Sequence, residues 1–320
     1  MADQVHELVI IGAGPAALSA AIYTCREDID TLLIEKGAIG GLAAVTDWVD
    51  NYPGFEDGLE GLKLSESMRK QAERFGAKID LNEVTKLSKE GDLIVLDTLT
   101  GPIKTKAVLI ATGSEYRKIG VPGEEEFYGR GVHYCATCDG AFYRDKKLVV
   151  VGGGNSAVQE GLFLTKFATH IDMLVRSTIR ASDILQKELA ENKKITVHLN
   201  TSTDEIVGKD GKVTKVIGTH NGKKVEYQTD GVFVFVGLDP NTKFLAGSDV
   251  ELDERGFVKS DSRLMTNVPG IFVAGDVRSG ATLQIASATG EGATAALMIR
   301  EYLEDHAKIS KAKVVSLYGT

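Results

Sequence analysis

The chain has 320 residues, enough for two domains of ordinary size, and its 43% hydrophobic and 26% charged residues are typical of a globular protein. A net charge of −8 argues against the basic surface of a nucleic-acid-binding protein. Three cysteines do not suit a secreted disulfide scaffold, and the sequence shows neither a signal peptide nor an apolar run that could span a bilayer. We therefore expect a cytoplasmic protein that binds neither nucleic acid nor a membrane.

The first predicted element is a buried strand that leads into a glycine turn. Residues 8–11 are apolar, and Gly12 and Gly14 open a GxGxxA pattern that continues into an alanine-rich helix. Such glycines let the backbone approach a pyrophosphate, and the helix N-terminus offers N–H groups to that anion. The next strand, TLLIEK, contains Glu35, whose carboxylate can bind a ribose hydroxyl. This stretch predicts a dinucleotide site for FAD or NAD.

A pair of cysteines follows in the sequence HYCATCDGAF. Cys135 and Cys138 are separated by two residues, and Asp139 comes directly after them. Such a pair can hold zinc, form a structural disulfide, or cycle between dithiol and disulfide. Because Cys25 and His133 do not complete a set of four ligands, we expect no metal. A structural disulfide is disfavoured in a reducing cytosol, so redox cycling is the favoured interpretation.

The glycine pattern recurs after the cysteine pair. An apolar strand at 148–151 leads into GGGNSA at 152–157 and a second helix. The next strand, IDMLV, ends without an acid, and Arg176, Ser177 and Arg180 follow it. Arginine accommodates a ribose 2′-phosphate, so this site favours NADPH, unless the two arginines are only solvated surface charges.

Three later strand patterns complete the organisation of the chain. AVLIATG ends at Gly113, GVFVFVG ends at Gly237, and VPGIFVAGDV places Asp276 at a strand end before a long helical run. The first domain thus resumes after the second. We predict an α/β protein with two Rossmann-like, three-layer nucleotide-binding domains, the second inserted in the first.

Pro/Gly turn signals place the domain boundaries. Residues 1–116 and 248–320 form the predicted FAD-binding domain, and 117–247 form the predicted NAD(P)H-binding domain with the CxxC pair. Residues 304–320 are expected to be a helix end and a loosely specified tail. The acidic run at 124–126 is expected to be a solvated loop, and His133 to have no acidic partner.

The order of these motifs resembles the low-molecular-weight, bacterial-type thioredoxin reductases. GxGxxA, the glycines near 40, NYPG, ATG, CATCDG, GGGNSA and AGDV all occur, and the match runs from about residue 6 to 303. The resemblance implies an FAD enzyme that passes two electrons from NADPH to the Cys135/Cys138 disulfide and on to thioredoxin or a thioredoxin-like protein. It also implies a homodimer.

The resemblance implies two sets of cofactor-binding residues. The FAD set is Gly12, Gly14, Pro15, Ala16, Glu35, Lys36, Gly40, Gly41, Leu42, Asn51, Ala111, Thr112, Gly113, Gly275, Asp276, Gln284 and Ile285. The NADPH set is Gly152, Gly154, Asn155, Ser156, Arg176, Ser177 and Arg180.

The CxxC pair has distinct expected roles. By position, Cys138 faces the flavin, and Cys135 attacks the partner's disulfide through a mixed disulfide. Asp139 protonates the leaving thiolate, and it also suits an Asx turn that closes the loop. Arg130 and Phe142 match family positions that face the partner, although Phe142 also suits a core position.

Several positions depart from the family pattern. Val175 and Ser177 flank Arg176 where the family has His-Arg-Arg, Leu42 replaces the Gln of GGQ, and Leu283 replaces the Arg before Gln284. The donor therefore stays open between NADPH, NADH, ferredoxin and another reductant, and a non-enzymatic, flavin-bound redox sensor is the remaining alternative. Because the nicotinamide and the disulfide need the same flavin, we also predict rotation of the inserted domain about its two linkers.

Overall fold

The computed structural model describes residues 5–46 and 48–317, with side chains up to residue 306. The chain forms two compact units. The first comprises the residues up to Glu115 and those from Asp239 on, and the second is Tyr116–Leu238. The predicted α/β fold, with one nucleotide-binding-type unit inserted in another, is confirmed.

Helices and strands alternate in the first part of each unit, and runs of consecutive strands follow. The strands are β1 (Val5–Ile11), β2 (Thr31–Glu35), β3 (Lys78–Leu81), β4 (Val84–Glu90), β5 (Leu93–Thr98), β6 (Gly101–Ile110), β7 (Ser114–Tyr116), β8 (Val132–His133), β9 (Lys147–Val151), β10 (His170–Leu174), β11 (Ile195–His198), β12 (Thr201–Lys209), β13 (Lys212–His220), β14 (Lys223–Gln228), β15 (Gly231–Val234), β16 (Leu238–Pro240) and β17 (Ile271–Val273). The α-helices are α1 (Pro15–Arg26), α2 (Gly61–Arg74), α3 (Ala136–Asp139), α4 (Asn155–Leu164), α5 (Asp183–Glu191) and α6 (Ile285–Leu317).

The first unit is built on one sheet with the order β3-β2-β1-β6-β5-β4, and β17 also pairs with β6. Strands β3, β2, β1, β6 and β17 pair in parallel, whereas β4, β5 and β6 pair antiparallel. Strand β1 is apolar on both faces because both are covered. Leu8 and Ile10 pack with residues of α1, α2 and α6, whereas Val9 and Ile11 pack with residues of β4 and β5.

The second unit repeats this layering. Its parallel sheet has the order β11-β10-β9-β15-β8, and β12, β13 and β14 form a separate antiparallel sheet. Leu148 and Val150 of β9 belong to the core cluster that includes α4, and Val149 and Val151 belong to the cluster that includes the antiparallel sheet. Successive side chains of β9 thus point to opposite faces of the parallel sheet, which forms the middle of three layers. The carboxyl end of β9 leads into the glycines at 152–154.

The crossings between the units lie at the short strands β7 and β16, which form a two-stranded sheet. The second crossing falls between Leu238 and Asp239, ahead of the turn signals that suggested 247 and 248. The reason is that Phe244 and Leu245, in a short 3-10 helix, are buried in the core of the first unit.

Helix α6 is longer than the sequence suggested. It begins at Ile285 and continues to Leu317, through the stretch from 304 that we expected to be a helix end and a loose tail. Residues 304–317 contain neither glycine nor proline, so nothing in them stops a helix. Positions 318–320 of the expected tail lie outside the described residues. No helix within residues 5–46 and 48–317 is long and apolar enough to cross a membrane.

Candidate active site

The first glycine loop (Gly12–Gly14) joins β1 to α1. Gly12 has a φ of +106°, and a side chain there would collide with the carbonyl oxygen of Ala111. Its N–H donates to the carbonyl of Ile34 at 2.8 Å, so the turn lies across the carboxyl ends of neighbouring strands. Gly14 precedes α1 and supplies no side-chain cap to the helix N-terminus. A glycine turn and an uncapped helix start form a loop that fits a pyrophosphate.

The Glu35 carboxylate binds backbone beside this loop. It accepts a hydrogen bond from Ala13 N at 2.7 Å and another from Gly37 N at 2.7 Å. The N–H of Gly40 donates to the carbonyl of Ala13 at 2.8 Å, and Gly41 approaches the Cα of Gly14. The structure therefore brings these residues of the predicted FAD set together.

Two other members of that set lie nearby in the chain. Leu42 is half-buried in the 3-10 helix Gly41–Ala43, and Lys36 is exposed.

Gly275 and Asp276 reach the same region from the end of β17. Gly275 packs against Ala16 in the first turn of α1, and its N–H donates to Glu291 Oε2 at 2.8 Å. Arg278 binds the same carboxylate, with Nε donating to Oε2 at 3.1 Å and Nη2 donating to Oε1. Burial, with Glu291 nearby, raises the pKa of Asp276 to about 6. The sequence did not single out Glu291, which holds the Gly275 turn in place.

The start of α6 contacts Asn51. Asn51 Nδ2 donates to Gln284 Oε1 at 3.1 Å, and Gln284 Nε2 donates to the carbonyl of Leu283 at 2.9 Å. Leu283 adopts a φ of +59°, which costs a side chain with a Cβ some backbone strain. Ile285, the first residue of α6, follows directly. The contact between Asn51 and Gln284 links two members of the predicted set that are far apart in the sequence.

Thr112 and Gly113 are held by a residue that the sequence did not predict. Thr112 Oγ1 donates to the carbonyl of Asn241 at 2.8 Å, and Asn241 Nδ2 donates back to the carbonyl of Thr112 at 3.0 Å. Asn241 N also donates to the carbonyl of Gly113 at 3.1 Å. These bonds fix the backbone that follows β6, directly after Ala111.

The second glycine loop (Gly152–Gly154) joins β9 to α4. Gly152 has a φ of +140°, and a side chain there would collide with the carbonyl oxygen of Phe235. The loop after β10 is bonded to this turn: Arg180 N donates to the carbonyl of Gly153 at 2.6 Å, and Ser182 N donates to Asn155 Oδ1 at 2.8 Å. The structure therefore brings the two halves of the predicted NADPH set together.

The polar side chains of that set face solvent. Ser156, Arg176, Ser177 and Arg180 are exposed, and in the described part of the chain neither guanidinium has a carboxylate partner. Val175, in contrast, is a buried core residue and offers nothing polar to a nucleotide.

Cys135 and Cys138 form a disulfide. Strand β8 ends at His133, and α3 begins directly after Cys135, so the pair spans one turn of helix. The N–H of Cys138 donates to Cys135 Sγ at 3.1 Å. Both cysteines are half-buried, and Thr137 between them is exposed. The pair is thus reachable from solvent, as exchange with a second protein requires.

His133 has an acidic partner, contrary to the expectation from the sequence. Its Nδ1 lies 3.1 Å from Asp139 Oδ2, and its Nε2 lies 2.7 Å from the hydroxyl of Tyr143. His133 is buried, and its imidazole stacks on Phe233. The one-turn helix α3 folds Asp139 back towards the end of β8, a closure that the spacing of the residues alone did not reveal.

A family model described as pyridine nucleotide-disulphide oxidoreductase matches residues 6–292. The chain belongs to the pyridine nucleotide-disulphide oxidoreductase family. Membership supports the use of a flavin and of a nicotinamide nucleotide, in line with the two glycine loops and the disulfide. It is an enzyme family of oxidoreductases, and the predicted enzyme class is confirmed at that level.

Relatives of this pyridine nucleotide-disulphide oxidoreductase bear a more specific name. Thioredoxin reductase of Bacillus subtilis is 43% identical over 306 residues, covering 95% of this chain and 96% of the relative. The solved structure of thioredoxin reductase from Streptococcus pyogenes has a TM-score of 0.89 at 39% identity and covers 94% of this chain and 99% of that one. That of Giardia duodenalis has a TM-score of 0.90 at 33% identity, with coverages of 94% and 100%. The resemblance drawn from the motifs is confirmed.

Glu124 of this oxidoreductase is buried, whereas we expected residues 124–126 to form a solvated loop. Its side chain is 1% exposed and accepts hydrogen bonds from Ile119 N at 2.9 Å, Gly120 N at 2.7 Å and the hydroxyl of Tyr134 at 2.8 Å. Burial and Glu124 together raise the pKa of Tyr134. A buried carboxylate with three donors organises the segment that leads to Cys135.

Arg130 and Phe142, the expected docking residues, lie on the surface of the second unit. Phe142 is 56% exposed, which argues against the core alternative. Arg130 is exposed, and its guanidinium donates to the carbonyl of Glu126 at 2.8 Å.

Cys25, in α1, is half-buried, and burial raises the pKa of its thiol. Within the described residues, no group of three or more His, Cys, Asp or Glu side chains is placed to hold a metal ion.

Proposed function

We propose that this protein is an FAD-dependent thioredoxin-disulfide reductase with NADPH as the electron donor. The observation that carries the proposal is the Cys135–Cys138 disulfide, half-buried and in the same chain as two glycine loops that each open a helix. A nicotinamide nucleotide, a flavin and a disulfide are the three groups that a transfer of two electrons to a protein disulfide needs.

FAD is proposed for the first unit. The collision that a side chain at Gly12 would make, the uncapped start of α1, and the Glu35 carboxylate beside the loop all fit a dinucleotide with an unphosphorylated ribose. The residues proposed to hold it are Gly12, Gly14, Pro15, Ala16, Glu35, Lys36, Gly40, Gly41, Leu42, Asn51, Ala111, Thr112, Gly113, Gly275, Asp276, Gln284 and Ile285. Glu291 and Asn241 support them by fixing the Gly275 turn and the backbone after β6.

NADPH is proposed for the second glycine loop. The bond from Arg180 N to Gly153 O places the arginine loop beside the glycine turn, and exposed guanidinium groups at Arg176 and Arg180 suit a 2′-phosphate. Gly152, Gly154, Asn155, Ser156 and Ser177 complete the proposed site. The same loop favours a second candidate, a reductase with NADH or another donor, because Val175 is buried and leaves fewer polar contacts for that phosphate.

The protein's own residues carry out the disulfide exchange. Once reduced by the donor, bound FAD would supply the two electrons that reduce the disulfide, and we assign Cys138 to the side that would face it. Cys135 attacks the partner's disulfide as a thiolate. The hydrogen bond from Cys138 N to Cys135 Sγ favours negative charge on that sulfur. Asp139 holds the proton that the leaving sulfur takes.

The partner is proposed to be thioredoxin or a thioredoxin-like protein. Arg130 and the exposed ring of Phe142 would contact it, since an aromatic ring with a nearby arginine is a frequent anchor at protein interfaces.

We further propose a homodimer located in the cytoplasm. Rotation of the second unit about β7 and β16 would bring the disulfide and the nicotinamide to the flavin in turn.

An anaerobic assay tests this proposal. The flavin released by heat from the purified protein should be FAD by chromatography. The protein should then oxidise NADPH in the presence of oxidised thioredoxin, and Cys138→Ser should abolish this turnover while keeping the flavin. Faster turnover with NADH or with a non-nucleotide reductant would select the second candidate. A flavin-loaded protein that reduces no thioredoxin with any donor would refute the proposed thioredoxin-disulfide reductase and favour the redox sensor.

A further inference from the structure

A chain of polar side chains leads away from the disulfide into the second unit. Asp139 Oδ2 lies 3.1 Å from His133 Nδ1, and His133 Nε2 lies 2.7 Å from the hydroxyl of Tyr143. The side chain of Asp139 is 21% exposed and that of His133 is 8% exposed. The carboxylate is therefore the more exposed member of the pair, and it belongs to the residue directly after Cys138.

We propose that His133 is a positioning residue that stores a proton for Asp139 and orients its carboxyl group during disulfide exchange. This inference rests on the proposed function. The role of Asp139 follows from its place directly after Cys138. His133 is an additional residue, and it acts only through the Asp139 carboxyl group.

The hydrogen bonds are satisfied wherever the proton lies. With a proton on both ring nitrogens, His133 donates from Nδ1 to the Asp139 carboxylate and from Nε2 to the oxygen of Tyr143. With the proton on Asp139, its O–H donates to Nδ1, and Nε2–H still donates to Tyr143. The two states differ by one transfer along the line from Nδ1 to Oδ2. Burial, with Asp139 and Asp230 nearby, raises the pKa of Tyr143, so its hydroxyl stays protonated throughout.

Aromatic packing holds the imidazole in this geometry. His133 stacks on Phe233 with ring centroids 5.2 Å apart, and the Tyr143 ring packs edge-on against both. A side chain at Gly231 would collide with the Tyr143 ring, so that glycine leaves room for it. A buried imidazole with both nitrogens bonded has few alternative orientations.

Other charged groups also face this network. Asp230, before β15, acts on Tyr143, and its carboxylate accepts from Lys147 N at 2.9 Å and lies 3.9 Å from Lys146 Nζ. Glu160 of α4 lies beside the backbone N–H of Ala136, and burial raises its pKa. Glu160 is thus the competing origin of any pH effect at the cysteine pair, and the experiment must separate it from His133.

The exchange step balances as follows. The Cys135 thiolate attacks the partner's disulfide, the bond from Cys135 to the partner's sulfur forms, and the partner's own S–S bond breaks. The leaving sulfur takes the proton of Asp139, and His133 returns a proton to Asp139. Cys138 then attacks Cys135 as a thiolate. The S–S bond of the pair re-forms, the bond from Cys135 to the partner's sulfur breaks, and that sulfur takes through solvent the proton that Cys138 gave up. The pair loses two electrons, and the partner gains them as two thiols.

The experiment is a single exchange reaction between full-length, flavin-loaded protein pre-reduced with dithiothreitol, then freed of it, and oxidised thioredoxin across pH 5 to 9. After an acid quench, the thiols of thioredoxin are counted separately from those of this protein, because the exchange leaves their sum unchanged. An imidazole holds a proton closer to neutral pH than an isolated carboxyl group does. The pH–rate profile has a limb on which the exchange rate falls as pH rises. In His133→Asn this limb should therefore move to lower pH by about one pH unit or more, and the exchange rate at pH 7.5 should fall roughly tenfold.

Matched variants separate the explanations. His133→Gln keeps a polar atom near Tyr143 but not near Asp139, and it should behave like His133→Asn. His198→Asn, in a His–Asp pair elsewhere in the second unit with His198 Nε2 2.7 Å from Asp172 Oδ1, should leave the profile unchanged. A uniform loss at every pH in His133→Asn would mean a structural role only. A limb that moves in Glu160→Gln but not in His133→Asn would assign it to Glu160. Either result overturns the proposal.

A spectroscopic measurement keeps the inference separate from the proposed function. The NMR signals of the His133 ring nitrogens across pH 5 to 9 should differ between Asp139→Asn and the wild type, because Nδ1 loses the charge of the carboxylate 3.1 Å away. Unchanged signals would refute the coupling. If the wild-type protein exchanges with no thioredoxin although this coupling is present, the proposed function fails and the proton-storing role in exchange fails with it. Exchange in the wild type with an unshifted His133→Asn profile refutes the inference alone.

Discussion

Replacing Glu124 should destabilise the second unit far more than its sequence context suggests. The side chain is 1% exposed and accepts from two backbone N–H groups and the Tyr134 hydroxyl. Glu124→Ala leaves these three donors without their acceptor. At about 1–3 kcal/mol for each orphaned donor, and with water entering the space to offset part of it, the loss should be about 3–6 kcal/mol.

Glu124→Gln should cost less, because its Oε1 can still accept from Ile119 N and Tyr134, whereas its NH₂ group then faces the N–H of Gly120. We expect about 1–3 kcal/mol for this variant. Glu126→Ala is the matched control. Glu126 lies in the same acidic run but is exposed, so this variant should leave the stability unchanged.

Hydrogen exchange followed by mass spectrometry suits this test, because it resolves peptides of the second unit, whereas the single tryptophan, Trp48, lies in the first. A loss of 3 kcal/mol should speed exchange of the most protected amides of Tyr116–Leu238 on the order of 100-fold. Equal exchange in Glu124→Ala and Glu126→Ala would refute the argument that this carboxylate organises the segment before Cys135.

Three further outcomes are expected. Because burial raises the pKa of Asp276 to about 6 from its ordinary 3.8, the flavin-free protein should lose stability as pH rises from about 4 to 6. Asp276→Asn should remove that slope in thermal unfolding, raising stability at pH 7 by roughly 2–3 kcal/mol while weakening FAD binding; an unchanged slope contradicts this. In steady-state assays, Arg176→Ala should raise the KM for NADPH about tenfold but leave the KM for NADH unchanged. Equal changes in the two KM values would show that Arg176 does not contact the 2′-phosphate. Phe142→Ala should raise the KM for thioredoxin about tenfold without changing the melting temperature, because its ring is 56% exposed; an unchanged KM excludes it from docking.

Local spacing was sufficient to predict the parts of the site that depend on local backbone geometry. The glycine loops, the strand that precedes each of them, and the CxxC pair follow from short-range rules, and the α/β fold follows from their repetition. The antiparallel sheet β12-β13-β14 and the hairpin β4-β5 were not predicted, because they bear none of the motif residues that drew attention to the parallel strands.

The residues that sequence reasoning missed depend on contacts between distant segments. Glu124 looks like one member of an acidic run until Tyr134 and the turn at Gly120 close around it. His133 gains Asp139 only because α3 is a single turn, and Glu291 reaches Gly275 only because α6 packs on α1. A signal existed for His133: an imidazole directly before a redox motif, followed at a short distance by an acid and a tyrosine.

The interrupted first unit sets the order in which the newborn chain can fold. The second unit is continuous from Tyr116 to Leu238, so all of it emerges from the ribosome before β17 and α6 do. The sheet of the first unit lacks β17, and α1 lacks its cover from α6, until synthesis is nearly complete. The redox pair can therefore be in place before the proposed flavin site exists, and capture of the prosthetic group would be the last event of biogenesis.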